Sequence, residues 1–399
     1  MTTNPISDRI QALAPSATLA MSQKSAELKA QGIDVINLSV GEPDFFTPDH
    51  IKQAAHQAID DNFSFYTPVP GYLSLRKAIS EKLRRENGLD YAPEQIVVGN
   101  GAKHSLCNVV MTLVNPGDEV IIPTPAWVSY VQMVNLAGGK NVLIPATLDQ
   151  NFKITPQQLE AAITPKTRLI ILCSPSNPTG SIYSRDELKG LADVLARHEQ
   201  VMIIADEIYE HINYVGGHQS LAQFDEIRDR VCIINGVSKA YAMTGWRIGY
   251  MAGPLWLAKA VTKLQGQYTS GASSIAQKAA EAAYCGPQDC VEQMRVAFER
   301  RRDLIVSLFK AIDGMRVNVP DGAFYLFPEV SAFFGRRAGD TVINDANDLA
   351  LYLLNEAHVA TVSGDAFCCP GYLRMSYATS DDNIREAARR IDEALKKLK

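Results

Sequence analysis

Lys239 stands in Gly236-Val237-Ser238-Lys239-Ala240-Tyr241-Ala242-Met243-Thr244-Gly245-Trp246-Arg247-Ile248-Gly249, between an apolar run at residues 231–234 and a turn, with Arg247 shortly beyond. A lysine that forms an imine must sit at the end of a rigid element. Its amine pKa must also fall from the free value of about 10.4, through burial or a neighbouring cation. The segment therefore has the form of a holder for an aldehyde cofactor; a lone Ser-Lys pair beside a loop reads instead as a surface lysine. Arg247, between Trp246 and the apolar run that follows, is placed to neutralise a phosphate bidentately. A second segment, Gly99-Asn100-Gly101-Ala102-Lys103-His104-Ser105, joins an apolar strand to a helix. A helix N-terminus presents free N–H groups with about half a positive charge, so Gly101, Ala102 and Lys103 are candidate phosphate contacts. As a dinucleotide motif the junction fails: His104 occupies the place of the third glycine, and Asp118 lies in a turn before a strand.

Other candidates carry weaker signals of their own. Asp206 closes the run at residues 201–205, where open α/β sheets build their sites, although an Asp there also reads as a turn or helix cap. Arg374, in Leu373-Arg374-Met375-Ser376-Tyr377, has the planar guanidinium that clamps a carboxylate in a fixed plane; alone it reads as a surface ion pair. Trp127 reads equally as a stacking plane for a flat ring or as core packing. Asn177, in Asn177-Pro178-Thr179-Gly180, is ordinary turn chemistry taken by itself.

These residues need a frame that fixes them. Short β-branched runs at residues 96–98, 120–122, 169–172, 201–205, 231–234 and 248–251 alternate with helical patterns at 103–113, 184–198 and 255–263. That is the pattern of an α/β fold with a mostly parallel sheet, and the continuous apolar character of the runs places helices on both faces. A long helical stretch is expected from 273 towards 309, then strands at 315–319, 323–327 and 373–377 and a closing helix at 382–397, which together read as a smaller α+β domain.

With 399 residues, 46% of them hydrophobic, the chain can bury a large core. A net charge of −5 with scattered lysines and arginines gives no basic field, so nucleic acid is not expected as a partner. The polar start and the absence of a long apolar stretch lead to the expectation of a cytoplasmic protein with no membrane partner. The 7 cysteines include no Cys-x-x-Cys pair, so neither a zinc site nor a disulfide framework is expected, and Cys368-Cys369 are assigned no role.

Residues 238–250, Ser-Lys-Ala-Tyr-Ala-Met-Thr-Gly-Trp-Arg-Ile-Gly-Tyr, resemble the cofactor-lysine segment of the class I aminotransferases, which use pyridoxal 5'-phosphate (PLP). Matching segments run from Pro15 to Ser380, and the resemblance is to the bacterial aspartate aminotransferase branch, which also contains prephenate aminotransferases. It implies a fold-type I PLP-transferase: a large domain at residues 46–288, a small domain at 289–399, and residues 1–45 packed with the small one. PLP works as an electron sink while its ring nitrogen is protonated, so a carboxylate must face that nitrogen, and Asp206 matches. The resemblance also gives Tyr209 and Asn177 as donors to the phenolate oxygen, Trp127 as the plane on the ring, and Ser238 beside Lys239 as a further cofactor contact. Tyr66 matches a tyrosine that reaches the phosphate of the other subunit, which implies a homodimer. Arg374, Gly41, Asn177 and Trp127 are implied at the substrate's α-carboxylate, and Ser16, Thr18 and Lys103 at its side-chain carboxylate.

The expected activity is transfer of the amino group from L-aspartate to 2-oxoglutarate, with the freed Lys239 amine acting as general base and then general acid on the α-proton. Family members that accept prephenate tend to carry a lysine just before Pro-Ser-Ala-Thr; this chain has Ala14, which argues against prephenate. Aromatic or alanine specificity, and a lyase of the same fold, remain alternatives. A ligand-sensing regulator would need a separate basic DNA-binding domain, for which the sequence offers no segment.

Overall fold

A computed structural model describes residues 5–399; Met1 to Asn4, part of the polar start, lie outside the described residues. Seven strands form the main sheet: β1 (Ile96–Asn100), β2 (Glu119–Thr124), β3 (Lys140–Pro145), β4 (Thr167–Cys173), β5 (Met202–Asp206), β6 (Val231–Gly236) and β7 (Ile248–Ala252), in the spatial order β1-β7-β6-β5-β4-β2-β3. All neighbours are parallel except β7, which runs against both β1 and β6. Side chains alternate between two apolar layers. Ile96, Val98, Ile121, Ile170 and Leu172 enter one, while Val97, Val120, Ile122, Leu169 and Ile171 enter the other. Full burial of one such side chain contributes about 1.5–3 kcal/mol, so a strand with both faces covered is held from two sides.

The topology brings functional segments to one edge. The parallel strands β2, β4, β5 and β6 end there, and the register sets Cys173 beside Asp206 and Asp206 beside Ile234. Because β7 is reversed, it begins where its neighbours end: Ile248 pairs with Asn100, so Arg247 emerges next to Gly101. Gly249 allows the helix Ala102–Leu113 to settle there, since a Cβ on it would lie 2.1 Å from the Ala102 nitrogen.

A third apolar layer joins Ile36 and Leu38 to residues from Met294 to Leu398. It includes a small antiparallel sheet ordered Val362–Ser363, Leu373–Ser376, Tyr325–Leu326. Ile36–Asn37 pairs in parallel with Val359–Ala360, stitching the N-terminal segment to the C-terminal part. Behind the end of β5, the fully buried Lys82 ammonium bonds Glu210 and, at 2.9 Å, Asn87, which ties the helix Leu73–Asn87 to the segment carrying Tyr209. Removing one partner of such a buried pair leaves an uncompensated charge.

Two expectations need correction, and one strand had no counterpart in the sequence reading. The stretch 273–309 is two helices, Ser274–Cys285 and Asp289–Lys310, because Gly286 leaves the helical conformation and Pro287 follows it. Residues 315–319 make one isolated bridge, Arg316 to Glu329, rather than a strand; Arg316 and Val319 face solvent, so the segment has little apolar face to bury. β3 was not expected, since it is a half-exposed edge strand containing Lys140, Asn141 and Pro145. Among the described residues, no helix is long and apolar enough to cross a membrane.

Candidate active site

A cavity of about 390 Å³ opens at the edge where the parallel strands end. Its floor is Asp206, the last residue of β5, buried beneath the turn that follows β6 and carries Lys239. Both residues line the cavity. The turn is fixed by Tyr241, whose hydroxyl donates to Gln288 Oε1 at 2.8 Å, and by a bond from the Met243 N–H to the Ser238 carbonyl at 3.2 Å. Lys239 Nζ donates to the Gly41 carbonyl at 2.6 Å. Burial pushes its amine down to about 8; the nearby Arg374 and Arg247 guanidinium groups act in the same direction, against Glu42 and Asp206. The neutral form that imine chemistry requires is thus reached near pH 8 rather than near 10.

Asp206 Oδ2 accepts from the Tyr130 hydroxyl at 2.5 Å, and Oδ1 accepts from the Ile208 N–H at 3.3 Å. Burial raises its carboxyl to about 6, with both donors and Lys239 opposing the rise. Above that pH it is an anion at the cavity floor.

At the other end, Gly101 caps the helix Ala102–Leu113 with φ +84°, and a Cβ there would lie 2.3 Å from Arg247 Nη2. Only glycine leaves both the conformation and the space. The first N–H groups of that helix have no carbonyl one turn earlier to bond, so the corner formed with Arg247, Lys103 and Ser238 is an anion cradle. Arg247 is exposed and bonds only carbonyls, those of Thr244 at 2.8 Å and Asn100 at 3.3 Å. The Lys103 ammonium lies 4.8 Å from the centre of the Trp127 ring, and both side chains line the cavity.

Arg374 is 2% exposed, yet no carboxylate pairs with it among the described residues. Its Nη1 donates to Asn177 Oδ1 at 3.1 Å and its Nη2 to the Ser39 carbonyl at 2.6 Å, while Nε has no hydrogen bond. The guanidinium lies 4.7 Å from the Tyr325 ring centre and 4.9 Å from that of Phe367. Burying an unpaired cation is costly, so this arrangement fits an anion that completes it. The lining as a whole has four cations, Lys103, Lys239, Arg247 and Arg374, against one carboxylate, Asp206.

The cavity gathers Gly41, Thr18, Ala102, Lys103, Trp127 and Asn177 with Asp206, Tyr209, Ser238, Lys239, Arg247 and Arg374. Ser16 is not on the lining but bonds Thr18 across 2.9 Å. Tyr66 is 97% exposed and lies outside its own chain's cavity. Tyr209, expected to donate towards a phenolate, shares a 2.8 Å hydroxyl contact with Tyr325 here. Tyr130 and Tyr325 were missed by sequence reasoning. Nothing in their local pattern separates them from core aromatics, and only the fold reveals their partners.

The sequence matches the aminotransferase class I and II family over residues 33–391. The chain belongs to that family. This aminotransferase is 50% identical over 389 residues to the aspartate/prephenate aminotransferase of Cereibacter sphaeroides, covering 97% of each chain. It is 49% identical over 391 residues to an aspartate aminotransferase of Geobacillus stearothermophilus, covering 97% of this chain and 98% of that one. Its structure is similar to that of the aspartate aminotransferase from Rhizobium meliloti, with a TM-score of 0.96, 45% identity and full coverage of both chains. It is also similar to the Thermus thermophilus aspartate aminotransferase with maleate, with a TM-score of 0.92, 40% identity and coverage of 98% and 100%. Class I aminotransferases use PLP. The donor set of this aminotransferase fits that group: an anion cradle that a Cβ at Gly101 would fill, a depressed lysine amine, and a carboxylate anion beneath them.

Proposed function

We propose that this aminotransferase moves the amino group of L-aspartate to 2-oxoglutarate, giving oxaloacetate and L-glutamate. The observation that carries the reading is the excess of unpaired cations around one cavity, which suits a phosphorylated aldehyde together with a dicarboxylate. PLP, when bound, supplies the electron sink for the pair left behind when the α-proton departs. With PLP bound, Lys239 Nζ would hold it and, once freed, would act as general base and then general acid on the substrate's α-proton. Asp206 would face the ring nitrogen, and Trp127 would lie on the ring; both line the cavity. Gly101, Ala102, Lys103, Ser238 and Arg247 hold the phosphate. Asn177 and Tyr209 donate to the phenolate oxygen; the Asn177 carbonyl oxygen is already engaged by Arg374, which leaves its N–H groups for this task. Arg374, with Gly41, Asn177 and Trp127, clamps the α-carboxylate, and Thr18, Ser16 and Lys103 meet the side-chain carboxylate.

The same proposal includes a cytoplasmic homodimer in which the exposed Tyr66 reaches the partner's phosphate site; its neighbour Phe65, 82% exposed, is an apolar side chain suited to that interface. It also divides the chain into a large domain at 46–288 and a small one at 289–399 joined by residues 1–45, a division supported by the third apolar layer.

The test is a panel of amino acids with 2-oxoglutarate as acceptor, or oxaloacetate where glutamate is the donor, together with a panel of oxo acids with aspartate as donor. Aspartate and glutamate should give the highest kcat/KM, and prephenate should be a poor acceptor because Ala14 replaces the lysine of prephenate users. Ammonia or pyruvate released without an oxo acid would show a lyase instead. A further expectation concerns pH. Only the neutral amine attacks a carbonyl, so covalent capture of PLP by the apo-protein should speed up about tenfold per pH unit up to about pH 8 and level off above it. A rate flat across that range, followed by stopped-flow absorbance, would contradict the assignment to Lys239.

A further inference from the structure

The Asp206 carboxylate is clamped from two elements. Tyr130, in the helix Ser129–Ala137 after β2, donates its hydroxyl to Oδ2 at 2.5 Å, and the Ile208 N–H after β5 donates to Oδ1 at 3.3 Å. No cation lies within ion-pairing distance of this carboxylate among the described residues. Tyr130 is 2% exposed and fixed in turn, because its ring meets Trp127 edge-on at 5.4 Å and its backbone N–H donates to the Trp127 carbonyl at 3.0 Å. One short segment therefore carries both the aromatic plane at the cavity wall and the strongest donor to the carboxylate at its floor. We propose that Tyr130 is a positioning residue: its hydroxyl fixes the Asp206 carboxylate in the orientation that the cofactor's ring nitrogen requires, so Tyr130 acts on cofactor binding through Asp206.

The physical case has two parts. A carboxylate offers about four lone-pair sites, and two protein donors leave room for a third donor from the ring. A buried carboxylate that loses its strongest donor turns towards other partners or takes up a proton, and either change removes the anion from the ring nitrogen. Burial already drives Asp206 towards its neutral form, and the Tyr130 hydroxyl is the largest influence opposing it.

The inference rests on the proposed placement of Asp206 at the ring nitrogen, and a double-mutant cycle separates the two ideas. Tyr130→Phe keeps the ring and its packing on Trp127 while removing the donor. Read by absorbance titration of the apo-protein, PLP affinity should fall about tenfold or more, and kcat should fall with little change in KM for aspartate. In an Asp206→Asn background, Tyr130→Phe should have almost no further effect. A Tyr130→Phe protein with wild-type PLP affinity, or one whose loss persists in full alongside Asp206→Asn, overturns the proposal. If instead Asp206→Asn alone binds PLP and turns over normally, the placement of Asp206 fails, whatever Tyr130 does. Should Tyr130→Phe not fold, site-specific 3-fluorotyrosine at position 130 keeps the hydroxyl and makes it a stronger donor. The acid limb of PLP affinity should then move to lower pH than in the wild type, and an unmoved limb overturns the proposal.

Discussion

Lys239→Ala should lower kcat by at least about 10⁴-fold, the upper range of what one positioned general acid–base supplies, and the purified protein should lose the yellow colour of covalently held PLP. The reason lies in how little else near the reacting carbon can accept a proton. Asp206 is committed to Tyr130 and Ile208 at the floor, and Tyr209 is buried with its hydroxyl against Tyr325, where burial keeps it protonated. Lys103 is the nearest other amine in the lining, but it stands over the Trp127 ring. PLP soaked into the variant should still bind reversibly through the cradle at Gly101 and Arg247, so dialysis should remove it. A Lys239→Ala enzyme with ordinary turnover would place the chemistry on another residue.

Arg374→Lys should raise KM strongly for every amino acid, monocarboxylic and dicarboxylic alike. The guanidinium already uses Nη1 on Asn177 and Nη2 on Ser39, and its planar fork still presents a face to the cavity. A lysine offers a point charge with no fixed plane and leaves the Asn177 and Ser39 acceptors without their donors. Each charge-assisted hydrogen bond lost costs about 1.5–3 kcal/mol, so kcat/KM should fall about 10- to 150-fold or more. Steady-state kinetics with alanine, aspartate and glutamate checks this. An effect confined to the dicarboxylic substrates would show that Arg374 meets the side-chain carboxylate instead.

What the sequence made legible follows from burial. Strands such as β5 and β6 are apolar on both faces, so their runs stand out, and the polar residues just past them, Asp206 and Lys239, stand out against them. β3 was invisible because an edge strand needs no continuous apolar run, and its Lys140 and Pro145 read as loop. The break at Gly286-Pro287 was written in the sequence, and the apolar periodicity on either side masked it. The contact from Tyr130 to Asp206 joins residues 76 apart, and no local pattern encodes such a pairing; it exists because β2 and β5 both end at the same edge of the sheet. Ser16 and Tyr66 remain outside the cavity for different reasons: Ser16 reaches it only through Thr18, and Tyr66 is solvent-exposed and off its own chain's cavity lining.

Borohydride reduction of the PLP-loaded protein followed by peptide mapping tests the central claim most directly. The account predicts a single stable adduct on Lys239, absent when the reduction is omitted. An adduct on Lys103 or another lysine, or a protein that stays colourless in excess PLP, would contradict it.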